Sequence, residues 1–264
     1  MNPYAPASPH MRRGLRFGAQ DITMVGVLGA VAIALGFIPG LGFIPAPTPA
    51  GAATTMHIPA ILAGILRGPL AGALVGAIFG FASFTRATLP FFKNPVIAFG
   101  PRILIGVMAY YAFVLLSRRT SRAAAAVILG ATAYTILGPG AAAFEQAFAA
   151  GRVEANWLVN AYHAVASAMT AQSWVVPVLA GAVVGAGAFA LLRGENAPPA
   201  AAAVVGTLTN TVGVLGLIML FFGWPLGTAI FIGATHGLPE ALLATVIVVP
   251  VYRAVKAAGL AGGR

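Results

Sequence analysis

The chain has 264 residues, of which 59% are hydrophobic and only 8% are charged, and its mean hydropathy is +0.93. A soluble domain needs a polar surface, so these values exclude that class and predict a chain that resides in lipid. The net charge of +10 does not indicate a nucleic-acid-binding protein, because the basic residues form short clusters between apolar segments. The absence of cysteine excludes disulfides and thiolate metal sites.

The sequence predicts an all-α fold, a polytopic transmembrane helical bundle with about eight spans. Crossing the hydrocarbon takes about 20 residues, or fewer where a helix ends inside protein. Residues 1–20 are a predicted N-terminal tail, and the apolar run after them is interpreted as a span rather than a signal peptide, since no persuasive cleavage site follows. The predicted spans are residues 21–38, 54–66, 70–85, 95–116, 123–144, 174–192, 200–222 and 239–253.

The distribution of Lys and Arg predicts the orientation of these spans. With the N-terminus in the cytoplasm, eleven basic residues lie inside and three outside, as the positive-inside rule requires. Both termini, including a short tail at residues 257–264, are therefore predicted to be cytoplasmic in a bacterial plasma membrane. The inside residues are Arg12, Arg13, Arg16, Arg67, Arg118, Arg119, Arg122, Arg193, Arg253, Lys256 and Arg264, and the outside residues are Arg86, Lys93 and Arg152.

Arg102 lies inside the fourth predicted span, which is otherwise free of charge. A guanidinium does not lose its proton, and burying it in lipid costs about 3 kcal/mol or more unless a partner or a cavity accepts it. Two partners remain open at this point. One is an ion pair with Glu240, and the other is the anionic group of a bound small molecule; the two could alternate as ligand arrives.

Three predicted spans begin on the outer side with a polar residue close to a proline, at His57, Asn94 and His236. Proline suits the first helical turn, so helices that start partway into the membrane would offer unpaired N–H groups to a cavity. Arg102 would lie about 10 Å down its helix, at the same depth. His57 and His236 are candidate ligand contacts, although a lone histidine is more often a hydrogen-bonded structural residue. Glu240 is a third candidate, or alternatively stabilises its own helix start.

The seventh predicted span contains a polar cluster at residues 207–211. Asn210 can donate and accept hydrogen bonds at once, which suits an amide or hydroxyl group of a ligand, and Thr207 and Thr211 lie one helical turn away. The alternative is that these threonines bond their own backbone or a neighbouring helix.

The segment at residues 156–172 is too polar for a simple span. It contains Trp157, Tyr162 and His163. Two interpretations remain open: a helix at the outer interface that could cap a cavity, or an extension of the sixth span.

Enzyme and ATPase motifs are missing from the sequence. Its two lysines do not follow a phosphate-binding glycine pattern, and neither a zinc-binding His-Glu-x-x-His motif nor a Gly-x-Ser-x-Gly motif occurs. No metal and no cofactor is expected. Active transport would need energy from another protein or from an ion gradient.

Five ordered motifs resemble those of substrate-binding S-components of energy-coupling factor (ECF) transporters, most closely the pantothenate-type members. The resemblance covers about residues 20–118 and 200–256. The motifs are residues 55–59 (TMHIP), 67–72 (RGPLAG), 101–106 (PRILIG), 207–211 (TLTNT) and 237–241 (GLPEA).

This resemblance implies a function and partners. Such proteins bind a vitamin from the outside and associate with a membrane coupling subunit and two cytoplasmic ATPase subunits. By the same resemblance, Arg102 would bind the pantothenate carboxylate and Asn210 its polar backbone. Gly26, Ala30 and Ala34 form a small-residue stripe on the first span, which the resemblance identifies as the docking surface for the coupling subunit.

The chain departs from that family pattern in one region. Family members usually have six spans, whereas residues 119–199 appear as an inserted helical pair between core residues 21–118 and 200–256. Because the insertion adds an even number of spans, the topology is kept, but Trp157, Tyr162 and His163 could reshape the cavity mouth. His236 also stands where a pantothenate-type member more often has asparagine.

Two other functions compete with a vitamin-binding subunit. An ion-coupled secondary transporter would need a coupling group such as Glu240. A membrane enzyme or assembly factor would have only His163, His236 and Glu240 to support it.

Overall fold

A computed structural model of the chain describes residues 17–38, 40–45, 52–117, 121–171, 174–191 and 194–261. Of the basic residues predicted to lie inside, those outside the described residues are Arg12, Arg13, Arg16, Arg118, Arg119, Arg193 and Arg264. The helices are α1 (Ala19–Phe37), α2 (His57–Arg67), α3 (Pro69–Thr85), α4 (Pro95–Ser117), α5 (Ser121–Thr135), α6 (Ala141–Ala149), α7 (Trp157–Ala171), α8 (Val175–Leu191), α9 (Ala197–Phe222), α10 (Leu226–Ile232) and α11 (Leu238–Ala257). A short 3-10 helix occupies Pro90–Lys93. Strands β1 (Phe43–Pro45) and β2 (Ala52–Thr54) form an antiparallel hairpin with Ile44 opposite Ala53.

Five described helical segments are long and apolar enough to cross a membrane, and a sixth is obtained if the bent pair α7 and α8 counts as one span. Helices α2 and α3 are apolar but shorter. The chain is therefore a multi-pass helical membrane protein, as the sequence predicted. The number eight stays a prediction, since no membrane defines the crossings.

Helix α2 lies in the centre of the bundle. All of its residues from His57 to Leu66 are buried, and its neighbours are α1, α3, α4, α9 and α11. A helix surrounded by protein does not need to match the bilayer thickness, because its ends meet protein groups instead of lipid. This position explains how an eleven-residue helix fits a membrane domain.

Helix α4 is packed between α3 and α9 and carries Arg102. At the contact with α3, a Cβ added at Gly76 would lie 2.1 Å from the carbonyl oxygen of Arg102. Only a residue without a side chain permits this approach, which brings the two backbones together beside the arginine. Gly76 therefore fixes the position of Arg102 relative to α3.

Two predicted spans differ in the structure because π-helical turns continue the helix. The fifth predicted span, 123–144, extends through a π-helical turn at Ile136–Gly140 to the end of α6 at Ala149. The predicted helix start near His236 is wrong: a π-helical turn at Gly233–Gly237 joins α10 to α11 in one segment, Leu226–Ala257. Pro239, in the first turn of α11, is therefore preceded by helix and not by a loop. The predicted starts at His57 and after Asn94 agree with α2 and α4.

The two ends of the described chain meet on one side of the bundle. The Arg67 guanidinium donates hydrogen bonds to the Gln20 side chain and to the Leu260 carbonyl, and it lies 3.8 Å from the Asp21 carboxylate. Residues 20 and 260 therefore share a side, as an even number of crossings requires. Its assignment to the cytoplasm stays a prediction.

Candidate functional site

A cavity of about 310 Å³ lies among α3, α4, α9, the π-helical turn at Gly233–Gly237, α11 and the β-hairpin. This volume is at the small end of the range of about 300–1,000 Å³ for small-molecule sites. Aromatic and aliphatic side chains line most of the cavity, and polar groups from five different parts of the chain point into it. The polar and charged residues that line it are Thr54, Ser83, Arg86, Thr88, Arg102, Asn210, Thr211, His236 and Glu240.

Arg102 is only 3% exposed, and the structure gives its guanidinium a defined environment. One terminal nitrogen donates to the Ile97 carbonyl, and the other donates to Ser83 Oγ at 3.3 Å. The guanidinium carbon lies 5.3 Å from the ring centre of Phe79 and 5.0 Å from that of Phe92. Cation–π contacts of this kind are stronger where water is excluded, so the two rings help to hold the charge inside the bundle.

These contacts leave part of the guanidinium without a protein partner. Arg102 Nε is buried and donates to no described residue. No carboxylate oxygen of the described residues lies within 4.0 Å of Arg102. The ion pairs that the described residues do form join Arg67 to Asp21 and His163 to Glu145. The predicted alternative, in which Arg102 is locked against Glu240, is therefore not what the structure shows. The buried cation faces a cavity instead.

Glu240 lines the same cavity but is bound to the hairpin. Its Oε1 accepts a hydrogen bond from the Thr54 backbone N–H at 2.5 Å, and both residues are buried. Thr54 Oγ1 in turn donates to the Gly42 carbonyl at 2.9 Å. The carboxylate therefore connects α11 to the segment that leads from α1 to α2.

Helix α9 presents Asn210 and Thr211 to the cavity. Asn210 is 6% exposed, and its Oδ1 accepts no hydrogen bond from a described residue. Thr211 Oγ1 donates to the Thr207 carbonyl, one turn earlier. Asn210 thus offers an acceptor to the cavity, whereas the Thr211 hydroxyl proton is used within the helix.

Two predicted contact residues do not line the cavity. His57 is buried at the start of α2, and Thr207 Oγ1 donates to the Ala203 carbonyl at 2.8 Å. The Thr207 bond agrees with the alternative that membrane threonines bond their own helix. His236 does line the cavity, from the π-helical turn, with Nδ1 at 3.3 Å from Thr235 Oγ1.

The structure adds residues that sequence reasoning did not select. Phe79 and Ser83 lie on α3, four positions apart, so both face α4 and Arg102. Arg86 follows the end of α3, donates to the Gly36 carbonyl and lies 5.8 Å from the Phe43 ring centre. The helical spacing from Phe79 to Ser83 was a usable signal, but only the packing of α3 on α4 shows that these residues meet Arg102.

The predicted cap over the cavity is not seen. Helix α7 contributes no residue to the cavity lining, and Trp157 is 70% exposed. Helix α7 packs on α6 instead, where His163 Nδ1 lies 2.7 Å from Glu145 Oε1. Within the described residues, no group of three or more His, Asp or Glu could hold a metal ion.

The predicted docking stripe lies on the outward face of α1. Gly26, Ala30 and Ala34 are exposed, whereas Gly29, Ala32 and Gly36 of the same helix face the bundle. The stripe is therefore accessible to a partner helix.

Comparison with known proteins identifies the family. Residues 20–252 match the family described as ECF transporter, substrate-specific component. Among curated proteins, none matches the chain. The match contains every residue that lines the cavity. The chain therefore belongs to the family of ECF transporter substrate-specific components and is a multi-pass membrane subunit that binds substrate, not an enzyme.

Proposed function

We propose that this subunit captures a small monoanionic vitamin from outside the cell membrane, with pantothenate as the first choice. The observation that carries the proposal is Arg102, a buried guanidinium that faces the cavity with Nε unpaired among the described residues. A carboxylate is the natural counter-charge, because charge-assisted hydrogen bonds are about twice as strong as neutral ones.

The charges around the cavity favour a ligand with a single negative charge. Arg102 and Glu240 are buried, and Arg86 is exposed at the mouth. Among the described residues, Glu240 is bound by the Thr54 backbone N–H and no carboxylate oxygen lies within 4.0 Å of Arg102, so Arg102 is the one buried charge that a ligand carboxylate would meet directly. A dianion would leave an uncompensated charge in a site of low dielectric, which is costly. Arg86 is screened by water, so its main effect is to attract anions to the entrance.

The remaining polar groups suit the rest of such a ligand. Asn210 Oδ1 offers a buried acceptor, and pantothenate carries an amide N–H and two hydroxyl groups that can donate to it. Apolar side chains, including Val214, Leu215 and Ile232, line the same cavity and suit its paired methyl groups. We therefore assign substrate contacts to Arg102, Asn210, Thr211 and His236.

We further propose that the subunit works with a membrane coupling subunit and two cytoplasmic ATPase subunits. The sequence supplies no phosphate-binding loop, so the energy for import has to come from partners. The exposed stripe of Gly26, Ala30 and Ala34 supports a helix-to-helix contact with the coupling subunit, because small residues allow close approach.

Binding of pantothenate and of its primary amide to the purified protein tests the proposed ligand. Arg102→Gln keeps a hydrogen-bond donor but removes the charge, and Arg102→Ala removes both. We expect each variant to lose about 10- to 100-fold in affinity for the carboxylate, the effect of a charged hydrogen bond, and to change little for the amide. Arg152→Ala, an exposed arginine remote from the cavity, serves as control. Equal losses for carboxylate and amide would contradict the assignment of Arg102.

A further inference from the structure

Two residues of the cavity wall also pack against an apolar cluster on the side away from the cavity. Leu215 of α9 and Ile232 of α10 line the cavity, and both also belong to an apolar cluster on the other side of the wall. Helices α6 and α7 supply much of that cluster. Their buried members are Ala141, Phe144, Ala147, Val159 and Ala166. The wall of the cavity is therefore packed against helices that contribute nothing to its lining.

Phe144 is the centre of this rear packing. It is fully buried, and its ring centre lies 5.3 Å from that of Phe231 on α10 and 4.7 Å from that of Tyr162 on α7. Phe231 directly precedes Ile232 in the chain. Because interiors are close-packed, displacement of Ile232 away from the cavity requires displacement of these rings.

The backbones of α6 and α10 also meet directly. A Cβ added at Gly227 would lie 2.4 Å from the Ala143 carbonyl oxygen and 3.1 Å from Ala147 Cβ. Helix α10 leads straight into the π-helical turn that carries His236. The contact with α6 thus fixes α10, which supplies Ile232 to the cavity and leads into the turn that supplies His236.

We propose that α6 and α7 form a specificity element, which supports Leu215 and Ile232 from behind and so limits the size of the apolar group that the cavity accepts. Phe144 and Gly227 are positioning residues that touch no ligand. The contacts of α6 and α7 with the cavity wall do not depend on the identity of the ligand. The choice of ligands for the first test rests on the proposed function.

The first test compares pantothenate with its homologue in which both methyl groups of the dimethyl carbon are replaced by ethyl. A methylene that does not fit an apolar pocket typically costs about 10- to 200-fold in discrimination, so the wild-type protein should prefer pantothenate by at least about tenfold. Phe144→Ala removes a ring behind the wall and leaves space there. The preference for pantothenate over the homologue should therefore fall by about threefold or more. Phe144→Leu provides a milder variant if the alanine variant does not fold. An unchanged preference, with both ligands weakened equally, would overturn the proposal, because a purely structural role predicts that result.

The second test needs no ligand. The chain contains no cysteine, so Ile232→Cys gives a single thiol in the wall, whose labelling by a charged methanethiosulfonate reports access from the cavity. Adding Gly227→Ala should change the labelling rate by about threefold or more, because overpacking against α6 shifts α10. Gly216→Ala is the matched control, since its added Cβ meets no atom within 4 Å.

The two tests separate the two proposals. If Gly227→Ala labels at the rate of the control, α6 does not position the wall and the inference fails. If the wild-type protein does not bind pantothenate, the proposed ligand fails, while the labelling result still decides whether α6 positions the wall.

Discussion

The Glu240 carboxylate accepts a hydrogen bond from the Thr54 backbone N–H at 2.5 Å, across 186 positions of sequence. Both residues are buried, and both line the cavity. A buried backbone N–H without a partner costs about 1–3 kcal/mol, so this bond holds the second strand of the hairpin beside the site.

Replacement of Glu240 should therefore release the hairpin. Glu240→Leu leaves the Thr54 N–H unpaired, and we expect faster amide hydrogen exchange at residues 52–54 together with a loss of about 1–3 kcal/mol in unfolding free energy. Glu240→Gln retains a carbonyl acceptor and should stay close to wild type in exchange. Glu195→Leu, an exposed glutamate after α8, is the control. Fast exchange in the Gln variant would show that the charge, rather than the acceptor, holds the strand.

Ser83 should orient Arg102 for a carboxylate. Ser83→Ala removes the acceptor at 3.3 Å from the guanidinium, a neutral-to-charged hydrogen bond that is long and therefore weak. We expect pantothenate affinity to fall by about fivefold, with little change for the uncharged amide. Isothermal titration of both ligands measures the difference. Ser117→Ala is a matched control, because its hydroxyl donates to the Phe113 carbonyl at the other end of α4; an equal effect in both serine variants would refute an orienting role.

Gly76 should be intolerant of a side chain. The Cβ of Gly76→Ala would lie 2.1 Å from the Arg102 carbonyl oxygen, which forces α3 and α4 apart. Overpacking of this kind costs about 1–3 kcal/mol, and the thermal midpoint of the detergent-solubilised protein should fall accordingly. Gly100→Ala lies on the same helix as Arg102 and meets no atom within 4 Å, so it should be neutral. A wild-type midpoint in Gly76→Ala would show that the helix contact is looser than described.

The stripe on α1 should serve a partner and not the fold. Ala30→Leu combined with Ala34→Leu adds bulk to an exposed face. We therefore expect the affinity for pantothenate to stay within about twofold of wild type and the unfolding free energy within about 0.5 kcal/mol. Co-purification with the coupling subunit should be lost, because bulky side chains prevent close helix approach. Val183→Phe, on the exposed face of α8, provides a control for added bulk elsewhere. Retention of the complex in the double variant would place the docking surface elsewhere.

Arg102 illustrates which residues of the cavity could be selected from the sequence alone. One permanent charge in an apolar span is conspicuous, because its desolvation cost demands an explanation, and that argument predicted either an ion pair with Glu240 or the anionic group of a ligand beside it. Asn210 was found for a similar reason. Ser83, Phe79 and Phe92 were not found, since an ordinary serine or phenylalanine in an apolar segment carries no such cost. Their role depends on how α3, α4 and the 3-10 helix between them pack together.

His236 shows the opposite case. A polar residue followed by glycine and proline predicts a helix start, because these residues are common at helix ends. The chain instead continues through a π-helical turn from α10 to α11, and α9 packs beside that turn. Local sequence preferences are worth about 1 kcal/mol per residue, and tertiary packing readily outweighs them.

The sequence alone determined the membrane environment, the helical class and the family motifs, because hydropathy and the cost of a buried charge are properties of short segments. Only the tertiary structure decided that Arg102 faces a cavity without an ion pair to Glu240, that Glu240 holds Thr54, and that α6 and α7 stand behind the cavity wall. These relationships join residues far apart in the chain, and they arise from helix packing, which local patterns do not encode.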